Sequence, residues 1–280
     1  MAGSPNAHVR ELLRWKGALP EPRDTPGVKS KAQARKESEA LGPELAELQE
    51  KLFANGKVGG KQRALLVLQG RDASGKDGAV KHVVGQVNPA GCKITAFGKP
   101  TEQEQARDFL WRITNALPAP GQLGVFNRSH YEDVLVVRVH ELVPRAVWSR
   151  RYVRINAWER RVAASGTAIV KVFLHISQEE QKERLLARVE DPTKHWKVGT
   201  DDLTERQLWE AYDQAYLDVL TKCSTDIAPW YVVPADRKWY RDWAVGHLLA
   251  ETLRDLHLDW PTPQGVNLKA MKRELQAGRT

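Results

Sequence analysis

Apolar residues recur along this chain in two rhythms. Between residues 31 and 54, Leu41, Leu45, Leu48 and Leu52 return at steps of three and four among Lys, Glu and Gln. That is the period of an amphipathic helix, and Asn55-Gly56 supplies its stop. From residue 64 onward, short apolar runs alternate with longer helical stretches. Strands are expected at 64–69, 93–97, 123–126, 168–175 and 230–233. Helices are expected at about 75–87, 101–115, 131–141, 147–164, 177–190, 203–222 and 239–256, with Thr101/Glu104 and Ser177/Glu180 spaced as capping pairs. Near-continuous apolar strands separated by helices imply a mainly parallel five-stranded sheet covered on both faces, a three-layer α/β/α fold.

The flanks differ in character. Residues 1–30 are rich in Pro, Gly and charge, with one apolar cluster at Val9, Leu12, Leu13 and Trp15, and read as an extended, partly anchored arm. Residues 31–260 read as one domain and residues 261–280 as a basic, frayed tail. Hydrophobic content of 41% and charged content of 28% are those of a soluble globular protein. No stretch is apolar enough to span a bilayer, and the N-terminus lacks a signal-peptide pattern. The two cysteines, Cys92 and Cys223, have no metal-ligand spacing, so a cytoplasmic home is expected. A net charge of +8 favours a polyanionic partner.

The chemistry is concentrated where the first strand ends. Gly70-Arg71-Asp72-Ala73-Ser74-Gly75-Lys76 fits a phosphate-binding loop between a strand and a helix. Glycines allow backbone N–H groups to face an anion, the helix adds its positive end, and Lys76 adds a full charge. The Ser/Thr that ordinarily follows the lysine is replaced by Asp77. Asp72 inside the loop would repel phosphate unless Mg²⁺ bridges the two; the plainer reading is an acid satisfied by backbone donors at a helix start. The third strand ends at Asn127-Arg128-Ser129, opposite this loop. Asn127 can coordinate Mg²⁺ or its waters without adding charge. Arg128 offers a planar fork of donors to a transferring phosphoryl group, or a surface ion pair with Glu132 or Asp133.

Two basic stretches follow. Arg145, Arg150, Arg151, Arg154, Arg160 and Arg161 form either an electrostatic track or a solvated face paired with Glu141 or Glu159. Residues 181–222, carrying Lys182, Arg184, Arg188, Lys194 and Lys197, read as a lid of the kind that excludes water in kinases, or as a charged surface hairpin. No Ser/His/Asp or Cys/His set suggests covalent catalysis. Positioning and charge neutralisation suffice for phosphoryl transfer.

Several segments together resemble the polyphosphate kinase 2 family. They are residues 70–78, Val87-Asn88-Pro89 with Gly91, residues 108–112, Phe126-Asn127-Arg128-Ser129, Glu190-Asp191-Pro192 with Lys194, Trp196 and Lys197, and residues 228–236 with Lys238 and Trp239. The resemblance implies a P-loop kinase-like fold and Mg²⁺-dependent transfer, with Mn²⁺ as a substitute, between inorganic polyphosphate and AMP, ADP or ATP. It implies catalytic roles for Asp72, Lys76 and Arg128, with the metal on Asp72 and Asn127 beside it. Gly70, Arg71, Ala73, Ser74, Gly75, Asp77, Lys81, Lys194 and Lys197 would meet phosphate or polyphosphate. Asn127, Glu132, Asp133, Arg184 and Arg188 would meet the nucleotide. The segment 129–133, with Glu132 in place of an uncharged residue, is similar to the subgroup accepting both mono- and diphosphates. A homo-oligomer, dimer or tetramer, is implied, with no membrane and no nucleic acid. The competing readings are an ATP-dependent nucleoside monophosphate kinase and a non-catalytic polyanion- or RNA-binding protein.

Overall fold

The computed structural model describes residues 9–263 and 265–278; the first eight residues of the expected arm, and residues 264, 279 and 280 of the tail, lie outside that range. Five strands, β1 (Arg63–Gly70), β2 (Cys92–Ala96), β3 (Leu123–Asn127), β4 (Thr167–His175) and β5 (Trp230–Pro234), form one sheet in the order β2-β3-β1-β4-β5. All four pairings are parallel. After β1 the chain moves to the β2 edge and returns through β3, and after β3 it crosses to β4. The reversal opens a crevice at the carboxyl ends of β1, β3 and β4, the place where open α/β sheets bind ligands.

Alternation along β1 shows how the layers are made. Ala64, Leu66 and Leu68 face one layer with Leu41, Leu45 and Leu52 of α2 (Lys31–Lys57) and Trp243, Leu248 and Leu249 of α11 (Lys238–Arg254). Leu65 and Val67 face the other with Ile113 of α5 (Trp111–Ala116), Ile155 and Trp158 of α7 (Arg145–Ala164), and Val219 and Leu220 of α10 (Trp209–Cys223). Both faces of β1 are buried, which is why it reads as an apolar run, whereas β2 at the sheet edge is only partly covered and leaves Ile94 exposed. The short helix α1 (Val9–Leu13) buries Val9 and Leu13 against the α11 layer, and Arg10 donates to Glu251 and Asp255 there.

Five expectations need correcting. The helix expected over 75–87 ends at His82 and is followed by a 3₁₀ turn, Val84–Gln86, and the helix expected over 131–141 is a 3₁₀ turn, His130–Asp133, followed by a four-residue helix, Val136–Val139. The helix expected over 101–115 is two pieces, α4 (Glu102–Gln105) and α5, because Asp108 accepts from the backbone N–H groups of Leu110 and Trp111 and starts a new turn. The long lid helix is likewise divided at Leu208 into α9 (Asp201–Gln207) and α10. The tail holds an exposed helix, α12 (Leu268–Gln276), capped by Asn267, where fraying was expected. The remaining helices are α3 (Lys76–His82), α6 (Val136–Val139) and α8 (Gln178–Glu190). No described helix is long and apolar enough to cross a membrane.

Candidate active site

The loop from Gly70 to Lys76 is held by its carbonyls. Lys76 Nζ donates to Gly70 O at 2.8 Å and Arg71 O at 3.1 Å. Gln181 of α8 takes Asp72 O at 3.0 Å, and Arg184 Nη1 takes Ala73 O at 2.9 Å and Ser74 O at 3.0 Å. Five consecutive carbonyls are therefore fixed by side-chain donors. A planar trans peptide sets its N–H opposite its C=O, so the N–H groups of Ala73 and Gly75 turn away from α8. Ala73 at φ 60° and Gly75 at φ 105° give the left-handed turns that make such a loop an anion nest. Gly75 and Gly78 also admit the guanidinium of Arg241: a Cβ at either would lie 2.0 Å or 2.6 Å from its nitrogens.

This nest forms the floor of a cavity of about 830 Å³ running from the carboxyl ends of the strands to the lid. Its wall carries eight cations, Lys76, Arg128, Arg184, Arg188, Lys194, Lys197, Lys238 and Arg241, against five acids, Asp72, Asp77, Glu180, Glu183 and Asp202. The excess of positive charge suits a ligand with several negative groups. Burial pulls Lys76 down to about 8, against the opposing influence of Asp72. Burial also lowers Lys238, with Arg184 and Arg241 nearby.

Arg128 stands at the end of β3 with φ 63° and pairs with Asp72 at 2.6 Å. Its partner is thus the loop acid across the crevice, where the sequence offered Glu132 or Asp133. Asp77 accepts from Asn127 Nδ2 at 2.8 Å and from Lys197 Nζ at 3.0 Å. Partial burial works against the charge on Asp77, and these two bonds nevertheless hold its carboxyl below the usual range. Through Lys197, the 3₁₀ turn Pro192–Lys197 of the lid touches the start of α3 across the cavity mouth.

Other sequence-named residues lie elsewhere. Arg71 turns away from the cavity, pairs with Asp213 and lies 3.8 Å from the ring centre of Trp209, tying the loop to α10. Ser74 is buried with its hydroxyl outside the cavity lining. Lys81 is exposed on α3, also outside that lining. Glu132 lies behind Arg128, beside a separate space of about 40 Å³ shared with Arg71, Tyr212 and Tyr216, and burial raises it. Asp133 is bonded to Arg151 at 2.8 Å, and burial pushes it up to about 6. Arg184 is less a free lid cation than an anchor. Besides the loop carbonyls it holds Glu180 through Nε at 2.8 Å and the carbonyls of Ala235 and Asp236 through Nη2 at 2.6 and 2.9 Å. In the basic segment, Arg151 and Arg154 pair with Asp133 and Asp108, while Glu159 pairs with Lys171.

Sequence reasoning missed Gln181, Lys238 and Arg241 as parts of the site. Their signal was faint: Gln181 and Arg184 sit three apart on one face of α8, and Lys238 and Arg241 do the same on α11. Among the described residues no group of three or more His, Cys, Asp or Glu forms a protein-only metal site. Asp72 and Asp77 do present hard oxygen donors on the cavity wall. Magnesium is commonly held by one or two carboxylates together with substrate phosphates, and these residues fit that pattern.

The chain is similar in sequence and fold to known proteins over most of its length. The sequence profile of polyphosphate kinase 2 matches residues 28–259. The chain is 48% identical over 250 residues to the AMP/ADP-polyphosphate phosphotransferase of Meiothermus ruber, covering 89% of this chain and 92% of that one. It is 43% identical over 229 residues to the ADP-polyphosphate phosphotransferase of Rhodopseudomonas palustris, covering 78% of each. The crystal structure of polyphosphate kinase 2 from Arthrobacter aurescens TC1 superposes with a TM-score of 0.93 at 47% identity over 99% of both chains. With the matched profile spanning most of its length and the nest, cavity and lid in one fold, this chain belongs to the polyphosphate kinase 2 family.

Proposed function

We propose that this phosphotransferase moves the terminal phosphate of inorganic polyphosphate onto AMP and ADP, by direct in-line transfer without a covalent intermediate. The observation that carries the reading is the cation-rich cavity of about 830 Å³, whose wall joins the anion nest to Arg188, Lys194 and Lys197. A polyanion with many phosphates can meet cations on both parts of that wall; a compact triphosphate needs only the nest. The relative named for both AMP and ADP supports the pair of acceptors.

The residues divide the work physically. Lys76 has three N–H donors and uses two on loop carbonyls, leaving one for a phosphate oxygen. Arg128 brings its fork to the transferring group once Asp72 releases it. Arg188, Lys194 and Lys197 line the path of the phosphate chain and help exclude water when the lid is closed. Asp72, with Asn127 beside it, would hold Mg²⁺ or Mn²⁺. When bound, the ion neutralises charge on the phosphates.

The test is a matrix of purified polyphosphate or ATP as sole donor against AMP or ADP as acceptor, at fixed Mg²⁺. ADP formed from AMP with polyphosphate alone supports the reading. Transfer from ATP but not from polyphosphate would replace it with an ATP-dependent monophosphate kinase.

A further inference from the structure

Behind Arg128 lies a buried polar network that none of the substrate-facing chemistry uses. Lys171, in the middle of β4 and fully buried, donates at 2.7 Å to each of three oxygens: the Glu159 carboxylate, the Tyr131 hydroxyl and the backbone carbonyl of Cys223. Tyr131 donates in turn to Glu159 at 2.7 Å, and His130 Nε2 lies 3.2 Å from the same carboxylate. A buried ion pair of this kind seldom adds net stability over well-packed apolar side chains. Lys171 interrupts an apolar strand, and that position calls for a role other than holding the core together.

The network's position supplies one. Its members meet at the segment that follows Arg128 directly, since His130 and Tyr131 are two and three residues further on. Arg128 itself sits at φ 63°, a left-handed conformation that a non-glycine residue keeps only when its surroundings determine it. Its N–H is fixed to Leu68 O at 3.0 Å on one side. On the other side, Ser129 accepts from Gln69 and from the Tyr131 N–H, and the Tyr131 ring is wedged against Trp230. Through the Cys223 carbonyl the network also reaches the last turn of α10, the returning helix of the lid.

We infer that Lys171, Glu159 and Tyr131 are positioning residues that set the backbone at Arg128 and so aim its guanidinium at the transferring phosphoryl group. None of the three lines the cavity, and their effect on catalysis runs through Arg128. The inference rests on the reading of Arg128 given above, and it can fail while that reading stands.

The experiment is a double-mutant cycle on polyphosphate-dependent ADP formation. Tyr131→Phe removes one hydroxyl and leaves Lys171 and Glu159 paired; the double variant Lys171→Met/Glu159→Gln removes both charges together, so no lone charge stays buried. Each is made with Arg128 intact and in an Arg128→Ala background, with thermal unfolding recorded throughout. With Arg128 present, kcat should fall about tenfold for Tyr131→Phe, and further for the double variant where it folds, while KM for polyphosphate changes less than about twofold. In the Arg128→Ala background the same changes should cost nothing more, because the residue being aimed is gone. Equal losses in both backgrounds, or an unchanged kcat in a folded Tyr131→Phe, would overturn the inference. An Arg128→Ala enzyme as active as the parent would instead overturn the role of Arg128, and the inference with it.

Discussion

Arg184 Nη1 lies 2.9 Å from the carbonyl oxygen of Ala73, a residue held at φ 60° in the phosphate loop. The same guanidinium holds Ser74, Ala235 and Asp236 by their carbonyls, so one side chain of the lid helix fixes the loop against the end of β5. A lysine has neither the fork nor enough donors for this set. Arg184→Lys is expected to lower unfolding free energy by about 3 kcal/mol, roughly two hydrogen bonds from a charged group. It should lower kcat/KM by at least about tenfold through loss of loop order. Urea unfolding and steady-state kinetics read the two effects.

A second prediction follows from the burial of Lys76, which lowers its pKa to about 8. Below that pH the ammonium is present in the free enzyme; above it the charge is lost. The pH profile of kcat/KM, which reports free-enzyme groups, should therefore fall as pH rises through about 8. In Lys76→Arg, whatever activity remains should lack this limb, because guanidinium stays charged. Stability moves the other way. Between about 8 and the ordinary lysine value of 10.5 the unfolded chain holds more protons, so this group makes folding more favourable as pH rises. A fall in activity accompanied by an unchanged or higher unfolding temperature separates titration of Lys76 from denaturation.

Gly78 faces the buried guanidinium of Arg241, which would lie 2.6 Å from a Cβ placed there and would have to shift. Gly78→Ala should cost about 1–3 kcal/mol by overpacking. In an Arg241→Ala background the cost should shrink to well under 1 kcal/mol, since the obstructing side chain is removed. Equal costs in both backgrounds, measured by thermal unfolding, would contradict this reading of the glycine.

What could be read in the sequence, and what could not, divides along the reach of the interactions. The five strands follow from local apolar runs, and the loop from glycines and a lysine at a spacing that backbone geometry dictates. The structure sets Asp72, Ala73, Gly75, Lys76 and Asp77 together on the cavity wall with Asn127 and Arg128. Arg71 belongs to the same motif and yet turns to Trp209, a residue 138 positions away. No local pattern announces that. Lys171 reads as a lone blemish in AIVKVFLH until Glu159, Tyr131 and the Cys223 carbonyl meet around it. Helix breaks at 106–110 and at Leu208 were likewise hidden. Periodicity continues across both; Asp108 starts the new turn in one, and in the other the new helix begins at Trp209, which stacks with Arg71.

The lid contact between Lys197 and Asp77 is partly exposed on both sides and should add little stability. Lys197→Ala is expected to shift unfolding free energy by less than about 0.5 kcal/mol. Removing a cation from the cavity wall should nonetheless raise KM for polyphosphate several-fold. By analogy with counter-ion release from nucleic acids, the slope of log KM against log salt should fall by about one. Kinetics at four or five salt concentrations measure it.

The central claim is that polyphosphate gives up its phosphate at the nest crowned by Lys76. The rate of ADP formation from AMP, with purified polyphosphate and Mg²⁺ and no ATP, tests it most directly when the parent chain is compared with Lys76→Met. The parent should form ADP, and the variant should lose about 10²-fold to 10³-fold in kcat, the usual scale for removing one preorganised charge-stabilising donor. A folded Lys76→Met enzyme turning over within a few-fold of the parent would contradict the account.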